Sequence, residues 1–438
     1  MNKLYASALA FVSCAAPLFA QAQTGRAQQP GRTETLENRV APAAGPGVGG
    51  GRNCATMEVY EEQLAADPAR GKRMEAIEAQ TKRLMAQPAM FQRVTAGTPV
   101  VIPVVVHVVY NTAAQNVSQA EIDAQIRVLN EDFAKANADA SNVPAAFSGA
   151  ASATNVRFVL AKRSPTGAAT TGVLRVATKT RSFSSNDAVK NSKRGGSDAW
   201  PRDQYLNLWL CNLGGGLLGY AQFPGGAAAT DGVVCLYSST PGGTAANYNG
   251  GRTATHEVGH WLNLRHIWGD ASCGNDLVND TPTQQTSNGG CPAFPRLTCG
   301  NTTSGDMFMN YMDYTYDRCM YMFTAGQSTR MDALFVTGGA RASLLTSQGG
   351  TAPTLGRMAT APASFYPNPA SDVLNVEMPA AARGSAYSVR VYDLRGHEMT
   401  QVSHNGKGQV AVSSLPKGLY YIQVSNGGEV VHQRFEKE

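Results

Sequence analysis

The run His256-Glu257-Val258-Gly259-His260-Trp261-Leu262-Asn263-Leu264-Arg265-His266 gathers three of the chain's seven histidines beside one glutamate. On an α-helix four residues turn through about 400°, so His256 and His260 lie one above the other and can hold a single ion between their imidazoles. Glu257 projects from a neighbouring face, where it can act as general base on water activated at that ion. The chemistry is metal-assisted hydrolysis, with zinc the metal that fits the H-E-x-x-H spacing.

His266 joins only if the helix breaks. Ten further residues of helix would carry it roughly 15 Å along the axis, against Zn–N bonds of about 2.0–2.1 Å. Asn263 lies between the second and third histidines, and Asn tolerates the left-handed conformation that ends many helices. The spacing therefore predicts a stop at Asn263 and a turn that brings His266 back. Three neutral imidazoles then leave one tetrahedral position open, as in a catalytic zinc site. A chance H-E-x-x-H on an ordinary helix is the alternative, and the third histidine argues against it.

Elements of an α/β sheet must carry this helix. Residues 100–110, VVIPVVVHVVY, read as a buried strand in which His107 is a core residue rather than a ligand. Residues 118–137 read as an amphipathic helix with Ser118 as N-cap, Glu121 three residues on, and Ile122, Ile126, Val128, Leu129 and Phe133 as its apolar positions. Strands are expected at 156–161, 205–210 and 232–237. After a Gly/Thr/Pro/Ala linker at 347–363, alternating strands such as 387–394 indicate a small all-β sandwich over 364–438. Its histidines, His397, His404 and His432, have no ligand spacing.

Residues 1–22 read as a secretory signal peptide, with an apolar centre and an Ala20-Gln21-Ala22 end; Cys14 falls within it, behind a poor lipobox. No other segment approaches twenty apolar residues, so no membrane span is expected. A net charge of only +5, without a basic run, excludes nucleic acid as the expected partner. Residues 23–53 are rich in Gln, Arg, Ala, Pro and Gly and are expected to be disordered, whereas 57–85 favour helix. Together 23–93 form a candidate pro-segment, with Arg93 as one place for the maturation cut and 94–346 as the catalytic domain. Seven cysteines remain after signal removal, an odd number in an oxidising compartment, so one thiol is expected to stay unpaired.

HEVGHWLNLRHIWGD resembles the active-site segment of metzincin metallopeptidases of the pappalysin/cytophagalysin family, whose motif has Gly where this chain has Asn263. The resemblance implies an α/β fold with a twisted mixed sheet, an active-site helix and a zinc cleft between two subdomains, and it places at 219–223 the edge strand that lines the cleft, to which an extended substrate can add by main-chain hydrogen bonds. In Asn310-Tyr311-Met312-Asp313-Tyr314 it implies a Met-turn, Met312 flooring the imidazoles and Tyr314 donating to the oxyanion; a Met/Tyr-rich core is the alternative. By analogy with cysteine-switch prosegments, Cys54 fills the fourth zinc position of a latent zymogen; a thiol without a role, or paired elsewhere, is the alternative.

Six other cysteines allow fifteen pairings by sequence alone. The resemblance suggests Cys273 with Cys299 and Cys291 with Cys319, leaving Cys211 with Cys235. It also implies calcium near Asp276, Asn279, Asp280 and Thr281, although an Asx-rich turn accounts for the same residues. Asp317 falls where the family shapes the pocket for the residue after the scissile bond, and a buried carboxylate there selects Arg or Lys unless Arg318 neutralises it. The segments 365–372 and 415–424 resemble the C-terminal sorting domain of type IX secretion cargo, a carbohydrate- or matrix-binding module being the alternative.

The expectation is thus a monomeric zinc endopeptidase acting on proteins or peptides, exported through periplasm and outer membrane to the cell surface or medium. A secreted adhesin with a structural metal is the competing class.

Overall fold

Strand β1, Val100–Tyr110, is almost continuously β-branched and is buried along nearly its whole length, which suits the centre of a sheet covered on both faces. In this computed structural model, which describes residues 53–86, 99–353, 364–377, 388–394, 396–406, 408–425 and 430–438, it organises the main sheet. The expected signal peptide, Arg93 and residues 354–363 of the linker lie outside the described residues.

Along one side β1 pairs in parallel first with β2, Val156–Leu160, and then with β3, Val173–Ala177. Its other side pairs in parallel with β4, Leu206–Cys211. The sheet continues through β6, Val233–Leu236, to the antiparallel edge strand β5, Gly219–Ala221. The order β2-β1-β4-β6-β5 is therefore mixed, with the short antiparallel β5 at one edge. Sequence reasoning missed β3, whose residues are only partly buried and carry no strict alternation.

One face of the sheet holds the main core, in which Val104, Val106, Leu208 and Leu210 meet Ile122, Leu129 and Val258. Ile122 and Leu129 belong to α3, Gln119–Phe133, which begins at the expected capping box: Ser118 Oγ accepts from Glu121 N at 3.2 Å and the Glu121 carboxylate accepts from Ser118 N at 2.9 Å. His107 is a core residue, stacked on Trp209 and hydrogen-bonded to Ser197 at 2.8 Å and Asn207 at 3.1 Å; burial pushes its pKa down to about 4, so it is neutral.

The cysteines of the sheet correct one expectation. The register pairs Leu210 with Cys235 and Cys211 with Leu236, so the two cysteines are one step out of phase and face opposite sides. Cys235 joins the main core while Cys211 packs with Trp209 on the other face, and no disulfide links them. Cys273–Cys299 and Cys291–Cys319 are bonded, each with Cα atoms 5.7 Å apart. These overlapping loops staple the segment between His266 and the Met-turn, contributing roughly 3 kcal/mol each on a chain-entropy basis.

Two helices that precede β1, α1 (Thr56–Ala66) and α2 (Ala69–Met85), pack on the rest of this unit, α1 against β5. Toward the C-terminus, β7 (Ser364–Tyr366), β8 (Val373–Glu377), β10 (Ser403–His404) and β11 (Gln409–Ala411) form one antiparallel sheet. A second contains β9 (Ser388–Tyr392), β12 (Gly418–Ser425) and β13 (Val430–Lys437), and the two enclose Leu374, Val391, Val410, Ile422 and Phe435 as an all-β sandwich. Among the described residues no helix is long and apolar enough to cross a membrane.

Candidate active site

The site is built on α4, Arg252–Trp261, whose His256, Glu257 and His260 are all at most 1% exposed. Its first turn is held by carboxylates. Asp317 Oδ2 accepts from the backbone N–H of Gly250 at 2.8 Å and of Arg252 at 3.2 Å, complementing the positive end of the helix. The Arg252 side chain pairs with Asp132 and Asp139, and Asp132 also accepts from Thr255 Oγ1 at 2.7 Å.

The helix ends where the sequence requires it. Asn263 has φ of 69°, its N–H donates to His260 O at 2.8 Å, and Leu264 N donates to Gly259 O at 2.9 Å. This is a Schellman ending with Asn263 in the left-handed position. The chain then reverses, and His266 Nε2 comes within 3.1 Å of His260 Nε2, which is itself 3.1 Å from His256 Nε2.

Each ring has its other nitrogen engaged. His256 Nδ1 donates to Tyr311 O at 2.7 Å, His260 Nδ1 to Leu264 O at 2.8 Å, and His266 Nδ1 to the Asp270 carboxylate. That pattern leaves the three Nε2 atoms as lone pairs facing one another, and burial followed by His266 drives the His260 pKa well below its ordinary value. Lone pairs so close need a cation between them, and two nitrogens bound to one tetrahedral zinc lie roughly 3.3 Å apart. The donor set fits zinc.

Met312 lies fully buried against α4. A methyl group on Gly259 would overlap Met312 Sδ, so glycine here lets the Met-turn close under the histidines. Tyr311 ties the turn to the rest of the site: its carbonyl takes the His256 proton, and its hydroxyl donates to Asp132 at 2.9 Å. Tyr314 Oη is 3.1 Å from His266 Nε2 and donates to Cys54 O at 3.3 Å.

Cys54 reaches the same point from the segment before α1. Its sulfur and the three imidazole nitrogens all lie within 4.8 Å of one another, the only such His/Cys/Asp/Glu group among the described residues. Cys54 Sγ is 3.4 Å from Glu257 Oε2, which also accepts from Thr56 Oγ1 at 3.1 Å. The backbone around Cys54 bridges in parallel to Gly219 of β5: Ala55 N donates to Gly219 O at 3.1 Å and Leu218 N to Asn53 O at 2.9 Å. Burial, then the Glu257 charge, pushes the thiol pKa up, so a thiolate here requires a cation beside it.

Residues 189–336 match the family model described as Pregnancy-associated plasma protein-A, and residues 364–438 match that of the Secretion system C-terminal sorting domain. An extracellular metalloprotease of Colletotrichum graminicola is 32% identical over 306 residues, covering 68% of this chain and 94% of that protein. The chain belongs to the pappalysin family of metalloproteases. A mutant of Tannerella forsythia promirolysin has the same fold, with a TM-score of 0.61 at 48% identity over 67% of this chain and 97% of that one. An extracellular metalloprotease of Sordaria macrospora is 43% identical over 160 residues, 34% of this chain, and there the chain spans only 56% of the relative. The sorting-domain match marks this pappalysin for secretion.

Other expected site residues are placed less centrally. The Asp317 carboxylate sits at the start of α4, while the Arg318 side chain donates to Asn247 Oδ1 at 2.9 Å and stacks over Tyr316. Of the expected calcium ligands, Asp276 and Thr281 are brought together, whereas Asn279 and the neighbouring Asp280 are not drawn to them. Asp276 is held by the Thr281 hydroxyl at 2.9 Å, Asn279 is exposed, and Asp280 instead caps α5, Ala325–Asp332, through Gly326 N at 2.8 Å. Sequence reasoning missed Asp132, although an acid on the buried stripe of α3 was a visible signal. It also missed Glu78 and Arg330, whose pairing spans too much sequence to leave one.

Proposed function

We propose that this chain is a latent zinc endopeptidase hydrolysing peptide bonds in proteins. The observation that carries the reading is the convergence of three imidazole Nε2 atoms beside a buried carboxylate and a pro-segment thiol. His256, His260 and His266 would hold the zinc, with Cys54 as fourth ligand in the latent form. When bound, zinc supplies Lewis-acid activation of water, lowering its pKa to about 7. Glu257 accepts the water proton during attack on the scissile carbonyl and returns it to the leaving amine. Tyr314 donates its phenolic proton to the carbonyl oxygen as charge builds there, a role supported by its hydrogen bond to the Cys54 carbonyl. Met312 and Asn263 act by shaping the floor and the turn.

In this reading residues 23–93 are the pro-segment, 94–346 the catalytic domain and 364–438 the sorting domain handed to the type IX machinery, and the processed protein acts as a monomer. A preference for Arg or Lys after the scissile bond rests on Asp317, which is 4% exposed. Calcium rests on Asp276, a carboxyl that burial pushes up to about 7 and that a divalent cation would hold ionised. An adhesin with a structural metal is disfavoured by Glu257, since a structural site has no use for a base at the metal.

The test compares casein cleavage by the processed protein, its Glu257→Ala variant and a chelator-treated sample. The variant should lose roughly 10²–10⁴-fold in kcat/KM while retaining zinc, and chelation should abolish activity until zinc is restored. Cleavage untouched by both treatments would overturn the peptidase reading.

A further inference from the structure

Arg330 on α5 is 2% exposed, yet its carboxylate partner comes from the pro-segment. Its Nη2 donates to Glu78 Oε1 of α2, and its Nε donates to the carbonyl of Asn263 at 2.8 Å. Asn263 Nδ2 adds a third donor, reaching the same Glu78 oxygen at 3.2 Å. A buried guanidinium and a side-chain amide thus converge on one carboxylate oxygen at the turn that closes the active-site helix.

Removing the pro-segment removes that carboxylate. Among the described residues no other carboxylate forms an ion pair with Arg330. Asp276 is close enough to feel its charge, but its oxygens are held by Thr281 and by Val278 N–H. Loss of α2 also uncovers the guanidinium, leaving a fork of donors with no carboxylate beside it and open to an anionic group able to enter.

The place it would enter adjoins the reaction centre. Asn263, Phe223 and Arg265 line a small pocket together with Met57, Tyr60 and Met74, which precede β1. Phe223 packs edge-on against His260 with ring centroids 5.5 Å apart, and it lies just beyond the end of β5. The pocket is therefore next to the imidazole cluster, at the end of the cleft toward which β5 runs. A substrate strand pairing antiparallel to β5 would bring there the residues preceding the scissile bond.

We infer that Arg330, with Asn263, forms an anion-recognising subsite that selects an acidic side chain on the N-terminal side of the scissile bond, and that Glu78 occupies this subsite in the latent chain. This inference rests on the peptidase reading and adds a specificity to it. Charge-assisted hydrogen bonding is the source of the selectivity, so glutamate should be favoured over glutamine.

The test is cleavage profiling of the processed protein on a peptide library, followed by kcat/KM for a preferred peptide carrying Glu at the selected upstream position and for its Gln counterpart. The Glu/Gln ratio should be about tenfold for the wild type, and near one for Arg330→Gln. Should that buried variant fail to fold, the wild-type ratio decides alone, with high salt expected to reduce it. Cleavage with no acidic preference upstream of the scissile bond overturns the inference and leaves the peptidase reading standing. No cleavage of either peptide overturns both.

Discussion

Cys54 Sγ lies 3.4 Å from Glu257 Oε2, so the pro-segment thiol faces both the imidazole cluster and the carboxylate expected to act as base. The carbonyl of the same residue takes the Tyr314 hydroxyl. One residue thus faces the three imidazoles, Glu257 and Tyr314 together. Cys54→Ala should leave a zymogen that cleaves casein before any processing, because water can then reach the fourth position. Equal latency of the variant and wild type, measured at matched zinc content, would remove Cys54 from the mechanism of inhibition.

Gly259 is predicted to be intolerant for a packing reason, since a methyl group there meets Met312 Sδ. Gly259→Ala should cost about 1–3 kcal/mol by overpacking, seen as a lower thermal midpoint of the zinc-loaded protein. Met312→Ala in the same chain should recover part of that loss, because it removes the overlapping sulfur. Independent, additive effects of the two substitutions would contradict the contact.

Asp132 joins Arg252, Thr255 and the Tyr311 hydroxyl, while the Tyr311 carbonyl orients His256. It is a positioning residue that couples α4 to the Met-turn. Asp132→Asn should weaken zinc retention by roughly 10–100-fold, the usual scale for groups behind a metal ligand, read by competition with a chelator. Unchanged zinc affinity would show that the turn is held by packing alone.

Asp332 provides the pH test. Burial alone pushes its pKa up to about 7, from an unfolded value near 3.8. The folded state therefore binds the proton more tightly. Its contribution is fully present below pH 3.8 and is lost as pH rises toward 7. Asp276, also raised to about 7, titrates in the same sense unless calcium holds it ionised. Asp332→Asn should raise the thermal midpoint by a few degrees above pH 7 and leave it unchanged near pH 4. A midpoint difference independent of pH would exclude charge burial as the cause.

The parts of this site that were legible in the sequence are those set by local geometry. His256 and His260 follow from the helical repeat, Asn263 from its tolerance of positive φ, and the Ser118–Glu121 box from capping chemistry. What was not legible depends on pairings across the chain. The proposed Cys211–Cys235 bond failed because strand register, which sequence spacing does not encode, puts the two side chains on opposite faces. The same limit hid Glu78 and Arg330, which meet only because α2 docks beside α5. Asp317 was placed near the site by resemblance, but its hydrogen bonds to the start of α4 required coordinates.

Zinc-edge X-ray absorption on the purified zymogen and on its processed form addresses the metal centre most directly. In the latent protein we expect three nitrogen ligands at about 2.0–2.1 Å and one sulfur at about 2.3 Å, with the sulfur replaced by oxygen after processing. A zymogen that binds no zinc, or whose zinc shell contains no sulfur in either form, would contradict the arrangement of Cys54, His256, His260 and His266 around one ion.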